Sequence, residues 1–281
     1  GFWKSCSQSD YVPLIKQLVE LRESLALNDW GHYWLMREMT RALWPDQPDR
    51  YRLLIWFLLN KSGYDARVGF DAESIHLLLT TGSNLYSRPY FVLNEKKYYL
   101  CDENTPAEAA SAIYTYDSVY PGAEKALDMK LTQTPRLGEA VQEVKLDIPD
   151  PDSAFSVRVN INPNLIAFYR DYPQTDLSVY FKSPIAQEIM VQLAKALMPR
   201  LLKHTMPGAL NLLLRFVQTA FVYKTDDQQF GREKPLFPEE TLFYPASDCE
   251  DRSVLYAHLV RQLLGLEVVG LDYPGHVATA V

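Results

Sequence analysis

Apolar residues at helical spacing open the chain. From Tyr11 to Leu27, Leu14, Ile15, Leu18, Val19 and Leu21 share one side, and Trp30 to Leu43 continues the style, so two amphipathic helices are predicted. Trp44-Pro45-Asp46-Gln47-Pro48 interrupts them, and Tyr51 to Asn60 is almost wholly apolar, the pattern of a buried helix ended near Gly63. Strand patterns follow. Ala66 to Phe70, Ile75 to Leu79, Tyr90 to Leu93 and Lys97 to Leu100 are short and rich in aromatic or β-branched residues, and Asn94-Glu95-Lys96 predicts a hairpin. Between about Gly122 and Lys182 the pattern turns to alternation, as in Val144 to Ile148 and Phe155 to Val159, which predicts a β-rich module with one solvated face. Helical runs return from Pro184 to Met198 and from Leu210 to Tyr223. After the polar stretch Lys224 to Arg232, a helix from Cys249 to Leu264 stops at Gly265, and Val268 to Leu271 predicts a strand.

Helices followed by antiparallel strands thus occur twice, which makes the fold class α+β. The pattern divides the chain into 1–121, a connecting module 122–183, and 184–281. With 281 residues, 47% hydrophobic and 22% charged, about two domains are affordable. A net charge of -7 and a pI near 5.3, with no basic run, argue against nucleic acid as a partner. No stretch reaches the roughly 18 apolar residues of a membrane span.

Three cysteines, Cys6, Cys101 and Cys249, leave at least one unpaired, and no Cys-x-x-Cys or His-x-x-x-His spacing predicts a metal site. Cys249 carries the candidate chemistry. It stands in Ser247-Asp248-Cys249-Glu250-Asp251-Arg252, at the predicted start of a helix, and Gly275-His276 follows after a predicted strand. A helix N-terminus favours a thiolate and a histidine from a later strand can pair with it. The acidic neighbours Asp248, Glu250 and Asp251 act the other way on the thiol unless they point aside, and Glu250 and Asp251 also suit the first helical turn as capping or dipole-matching residues. Aromatic clusters such as Trp30-Gly31-His32-Tyr33-Trp34 fit a core or an interface, with a sugar or peptide platform as the alternative.

Placing Gly265 on Gly63 aligns Asp251-Arg252 with Asp49-Arg50 and Leu255 with Leu53. Short gaps then carry His276 onto His76, and Cys249 falls on Gln47. In this alignment the first copy keeps a histidine but has a carboxamide where the nucleophile stands, so it is expected to be non-catalytic. Asp102, after the strand Tyr98 to Cys101, is placed to orient His76. The matching acid for His276 is expected some 25 residues beyond it, past Val281.

Asp248-Cys249-Glu250-Asp251, Leu264-Gly265-Leu266 and Gly275-His276 resemble the transglutaminase-like superfamily of papain-like thiol enzymes, its bacterial members in particular. The resemblance covers residues 208 to 281 well and residues 10 to 105 in degenerate form. It implies helices packed on an antiparallel sheet, duplicated here. It also implies Cys249 as nucleophile, His276 as general base and acid, and a following Asp as the orienting group. The reaction implied is attack on a carboxamide or peptide carbonyl, a thioester, and transfer to water or an amine. The Cys249 N–H would donate to the oxyanion, with Tyr223, Gln228 or Gln229 as a second donor. A peptide or protein substrate, no cofactor, and a periplasmic or cell-surface location follow from the same resemblance. The alternative is a scaffolding or binding protein that inherited the fold without the activity.

Overall fold

The computed structural model describes residues 1–86, 88–101, 113–149 and 154–281, and the chain divides into two units, Gly1–Lys130 and Leu131–Val281. In the first unit the amphipathic pattern becomes α1 (Phe2–Ser7), α2 (Val12–Ser24), α3 (Asp29–Leu43) and α4 (Pro48–Lys61). Asn28 caps α3 by accepting from the Gly31 N–H at 2.9 Å, which satisfies one of the orphan donors of a helix start. Pro48 presets the first turn of α4, and Gly63, at φ +89, supplies the left-handed residue just past its end.

The strand patterns become β1 (Ala66–Phe70), β2 (Ile75–Leu79), β3 (Tyr90–Leu93) and β4 (Lys96–Leu100), one antiparallel sheet in the order β1-β2-β4-β3. α4 packs on β1 and β2, with Ile55, Phe57, Leu58 and Leu59 buried. Leu78, Tyr98 and Leu100 form a buried cluster against Phe91, Leu93 and Ile113.

The segment 122–183, expected as a single β-rich module, is divided between the units. Its first residues are stitched into the first unit by bridges from Lys125 to Tyr64 and from Leu127 to Thr81. Lys125 also reaches the buried Asp29, which accepts from Arg22 at 2.7 Å, Tyr64 at 2.7 Å and the Asp128 N–H at 2.9 Å. Burial opposes charge on Asp29, but hydrogen bonds from Lys125, the Asp128 N–H and Tyr64 outweigh it and hold the carboxyl below its ordinary value.

The rest of that segment opens the second unit with the antiparallel pair β5 (Gln142–Ile148) and β6 (Phe155–Ile161). Its alternation matches the expected half-solvated face: Val157, Val159 and Ile161 are buried while Ser156, Arg158 and Asn160 are exposed. Two helices then occupy sequence read as β-rich, α5 (Pro163–Arg170) and α6 (Leu177–Lys182). The cause at α5 is local: Asn162 caps it by accepting from the Asn164 N–H at 2.9 Å, and Pro163 sits in its first turn.

The unit continues with α7 (Gln187–Leu201), α8 (Met206–Thr219), β7 (Val222–Tyr223), α9 (Asp226–Phe230), α10 (Pro238–Phe243), β8 (Ala246–Ser247) and α11 (Cys249–Leu259). α11 runs into a π-helical turn, Val260–Leu264, which Gly265 ends at φ +67. The hairpin β9 (Val269–Tyr273) and β10 (His276–Ala280) follows, and α11 packs on both strands. Gly270 lets β9 approach the Phe181 ring, because a Cβ there would lie 2.9 Å from it. Behind α11, Phe237 sits among Tyr169, Tyr172 and Tyr180 at ring separations of 4.4, 5.2 and 4.7 Å. His258 is buried and donates to the Tyr180 carbonyl at 3.2 Å. No helix among the described residues is long and apolar enough to cross a membrane.

Candidate functional site

α11 begins where it does because its first turn is capped from both directions. Asp248 has extended backbone angles and forms a reciprocal capping box with Asp251, whose Oδ2 accepts from the Asp248 N–H at 3.3 Å. Asp251 Oδ1 also accepts from the Leu236 N–H at 2.8 Å, which ties the helix start to the segment before α10. Cys249 is therefore the first helical residue, with its N–H among those that helix geometry leaves free.

The flanks are pinned as firmly. β7 runs parallel to β8, pairing Tyr223 with Ser247. Arg252 donates to the Gln218 carbonyl at 3.3 Å, the Phe221 carbonyl at 3.0 Å and Ser247 Oγ at 3.1 Å, and its guanidinium lies 5.2 Å from the Tyr223 ring centroid. On the other side, the Val277 N–H of β10 donates to the Cys249 sulfur, and Ser253 Oγ donates to the Val277 carbonyl at 3.1 Å.

This arrangement brings Cys249, His276 and Tyr223 to the lining of one cleft of about 330 Å³, between the start of α11, β10 and α8. Gln228 and Gln229, the other candidate oxyanion donors, are on α9 and do not line it. Gln228 Oε1 instead accepts from the Thr225 N–H at 3.3 Å, closing the cap of α9.

The thiol is held in its neutral form. Cys249 Sγ donates to Glu250 Oε2 at 3.1 Å. Burial raises the thiol pKa and the Glu250 and Asp248 charges raise it further, while the Val277 N–H lowers it only in part. Glu250 and Asp248 thus do not point aside, and with burial they act against the helix N-terminus.

Carboxylates crowd the same helix start from three segments. Burial first, then the Glu250 and Glu233 charges, push Asp226 up to about 7. Asp248 is raised to about 8, by burial and then by Glu250 and Asp226. Asp226, Asp248 and Asp251 bring ligand oxygens within 4.8 Å of one another, as do Asp226, Glu233 and Glu250. Asp248 Oδ1 is buried without a hydrogen-bond partner. An all-oxygen set of this kind suits a hard cation such as calcium or magnesium, not zinc. The Cys and His spacings that argued against metal gave no view of it, since the donors are carboxylates from separate segments.

The first unit builds a related arrangement with different groups. Asp49 Oδ1, in the first turn of α4, accepts from the Ile75 N–H at 3.0 Å, and Arg52 donates to the Ile75 carbonyl at 2.9 Å. Both polar groups of Ile75 are thus held from the helix start, as those of Val277 are held by Cys249 and Ser253. In accepting from a strand N–H in the first helical turn, Asp49 does what Cys249 does in the second unit. Gln47 is the exposed N-cap residue and caps nothing with its side chain. With Ile75 on Val277, Ser74 takes the place of His276, and His76 matches Ala278, about 7 Å further along the strand. His76 Nε2 bonds Asp71 Oδ2 at 2.8 Å. Asp102, expected to orient His76, lies outside the described residues.

No protein-family profile, curated protein or solved structure matches this chain.

Proposed function

We propose that the second unit is a transglutaminase-like thiol enzyme that attacks peptide or protein amide carbonyls through Cys249, forming a thioester resolved by water or an amine. The observation that carries this reading is the shared cleft: a thiol on the first residue of a helix, a histidine on the adjoining strand and a tyrosine hydroxyl line one opening. The resting thiol is neutral, so its proton must move during attack, and the thioester forms when the amide C–N bond breaks and the amine leaves with that proton. His276, exposed at the start of β10, is the base available in the cleft. The Cys249 N–H, free at the helix start, and the Tyr223 hydroxyl are the donors available to the oxyanion.

A second reading, a binding protein with an idle thiol, is favoured by the hold of Glu250 on Sγ. Acylation separates the two. In a Cys6→Ser background, p-nitrophenyl acetate should release a burst of about one nitrophenolate per chain. Mass spectrometry should place the acetyl group on Cys249, and Cys249→Ala should abolish both signals. Absence of a burst, with iodoacetamide modifying Cys249 no faster than an ordinary free thiol at any pH, selects the binding protein.

A further inference from the structure

The cleft continues past the thiol. Leu214 and Val217 of α8, Tyr256 of α11 and Val277 and Ala278 of β10 give it an apolar wall. Much of that wall is backed by core: Val217 is 1% exposed, Tyr256 7% and Val277 8%. Leu214, by contrast, is 38% exposed, so an apolar surface faces the opening.

The guanidinium in the lining is that of Arg252, and three of its five N–H groups are spent elsewhere. Its three donor contacts go to the Gln218 and Phe221 carbonyls and to Ser247 Oγ. An ammonium entering the cleft would meet that positive charge and find no carboxylate in the lining, and a carboxylate would have to shed its hydration beside the apolar wall. A leucine- or phenylalanine-sized group would instead remove apolar surface from water on both sides of the contact. At about 330 Å³ the cleft is at the small end of ligand pockets, sized for one side chain with its flanking backbone.

We propose that this cleft is a specificity subsite that takes one uncharged apolar side chain of the acyl donor, next to the carbonyl that Cys249 attacks. The proposal rests on the thioester reading for its role, but its binding test does not need the thiol. Cys249→Ala protein would be titrated with N-acetyl-leucinamide and, separately, with the α-amide of N-acetyl-aspartate, following the methyl resonances of Leu214 and Val217. The leucine compound should shift these methyls saturably, and the aspartate compound should bind at least about 10-fold more weakly. Ala278→Trp, which fills the cleft from a partly exposed strand position, should remove the response to the leucine compound. Equal binding of the two compounds, no shift at Leu214 and Val217, or shifts that persist in the Ala278→Trp variant would each overturn the subsite. Leucine-selective shifts alongside a thiol that gives no acylation burst would keep the subsite and discard the enzyme. A burst without leucine selectivity would do the reverse.

Discussion

Each unit packs an apolar helix on a β-hairpin, and each holds the backbone of the hairpin's second strand from the first turn of that helix. In the first unit Asp49 and Arg52 grip Ile75; in the second Cys249 and Ser253 grip Val277. What surrounds the grip differs. Next to α4, the large side chains of Tyr33, Arg37, Tyr51 and Arg52 leave a crevice of about 10 Å³, while α8 and α11 leave about 330 Å³ beside Cys249. The same scaffold contact therefore serves as plain structure in one unit and as the wall of an accessible thiol site in the other. The units differ in the side chains that hold the strand N–H and carbonyl, and in the room left beside them.

The most severe way to break this contrast is to remove the sulfur. In a Cys6→Ser background, Cys249→Ala should abolish iodoacetamide labelling, since Cys101 is buried. Labelling that survived would show that the second cleft is no more reactive than the first.

A smaller effect is expected from Glu250→Gln. The variant keeps an acceptor near Sγ but deletes the charge that helps raise the thiol pKa. The labelling rate near pH 7.5 should rise by about 10-fold, with the midpoint of the rate profile moving to lower pH. A profile unmoved by the change would mean that burial alone sets the thiol.

One carboxyl in each unit should respond to pH with the opposite sign. The Asp226 carboxyl, raised to about 7 in the fold, keeps its proton over a range where the unfolded chain has lost it. Its contribution to stability is therefore full below about pH 4 and is lost as pH rises through 7. Asp226→Asn should flatten that decline, raising Tm at pH 8 relative to pH 5 by about 3 °C. Asp71 is the converse and the weakest case. His76 first, then the Glu73 and Ser74 N–H groups, hold its carboxyl down at about 2. Its contribution is present above about pH 4 and lost as pH falls through 2. Because Asp71 is solvated, Asp71→Asn should lower Tm at pH 5 by no more than about 2 °C, with faster amide exchange confined to β1 and β2.

Local patterns made much of the framework legible. The strands 66–70 and 75–79 follow their aromatic and β-branched residues to the residue, and α11 starts at Cys249, as its apolar run predicted, with Asp251 in the first-turn role expected of it and Asp248 as its capping partner. The helices α5 and α6 escaped because an alternating stretch coloured the reading of the whole segment, although Asn162-Pro163 carried a helix-start signal. The carboxylate crowd escaped for another reason. Asp226 and Glu233 reach the start of α11 from 15 to 25 positions upstream, and no spacing rule links groups that only tertiary packing assembles. Which strand residue each helix grips was hidden for the same reason, since an alignment by identity cannot see it.

The turn before His276 has a consequence of its own. β9 and β10 are joined by two residues, Pro274 and Gly275, with Gly275 at φ +71, and the first pair after the turn is Tyr273 with His276. Strand faces alternate residue by residue, so the histidine's side is decided by counting and not by degree. One residue added to that turn, with the grip on Val277 released, would carry the imidazole to the opposite face in a single step, whereas the corresponding loop of the first unit, Asp71 to Ser74, has no such residue to misplace. Insertions should thus be tolerated at one hairpin tip and silence the other.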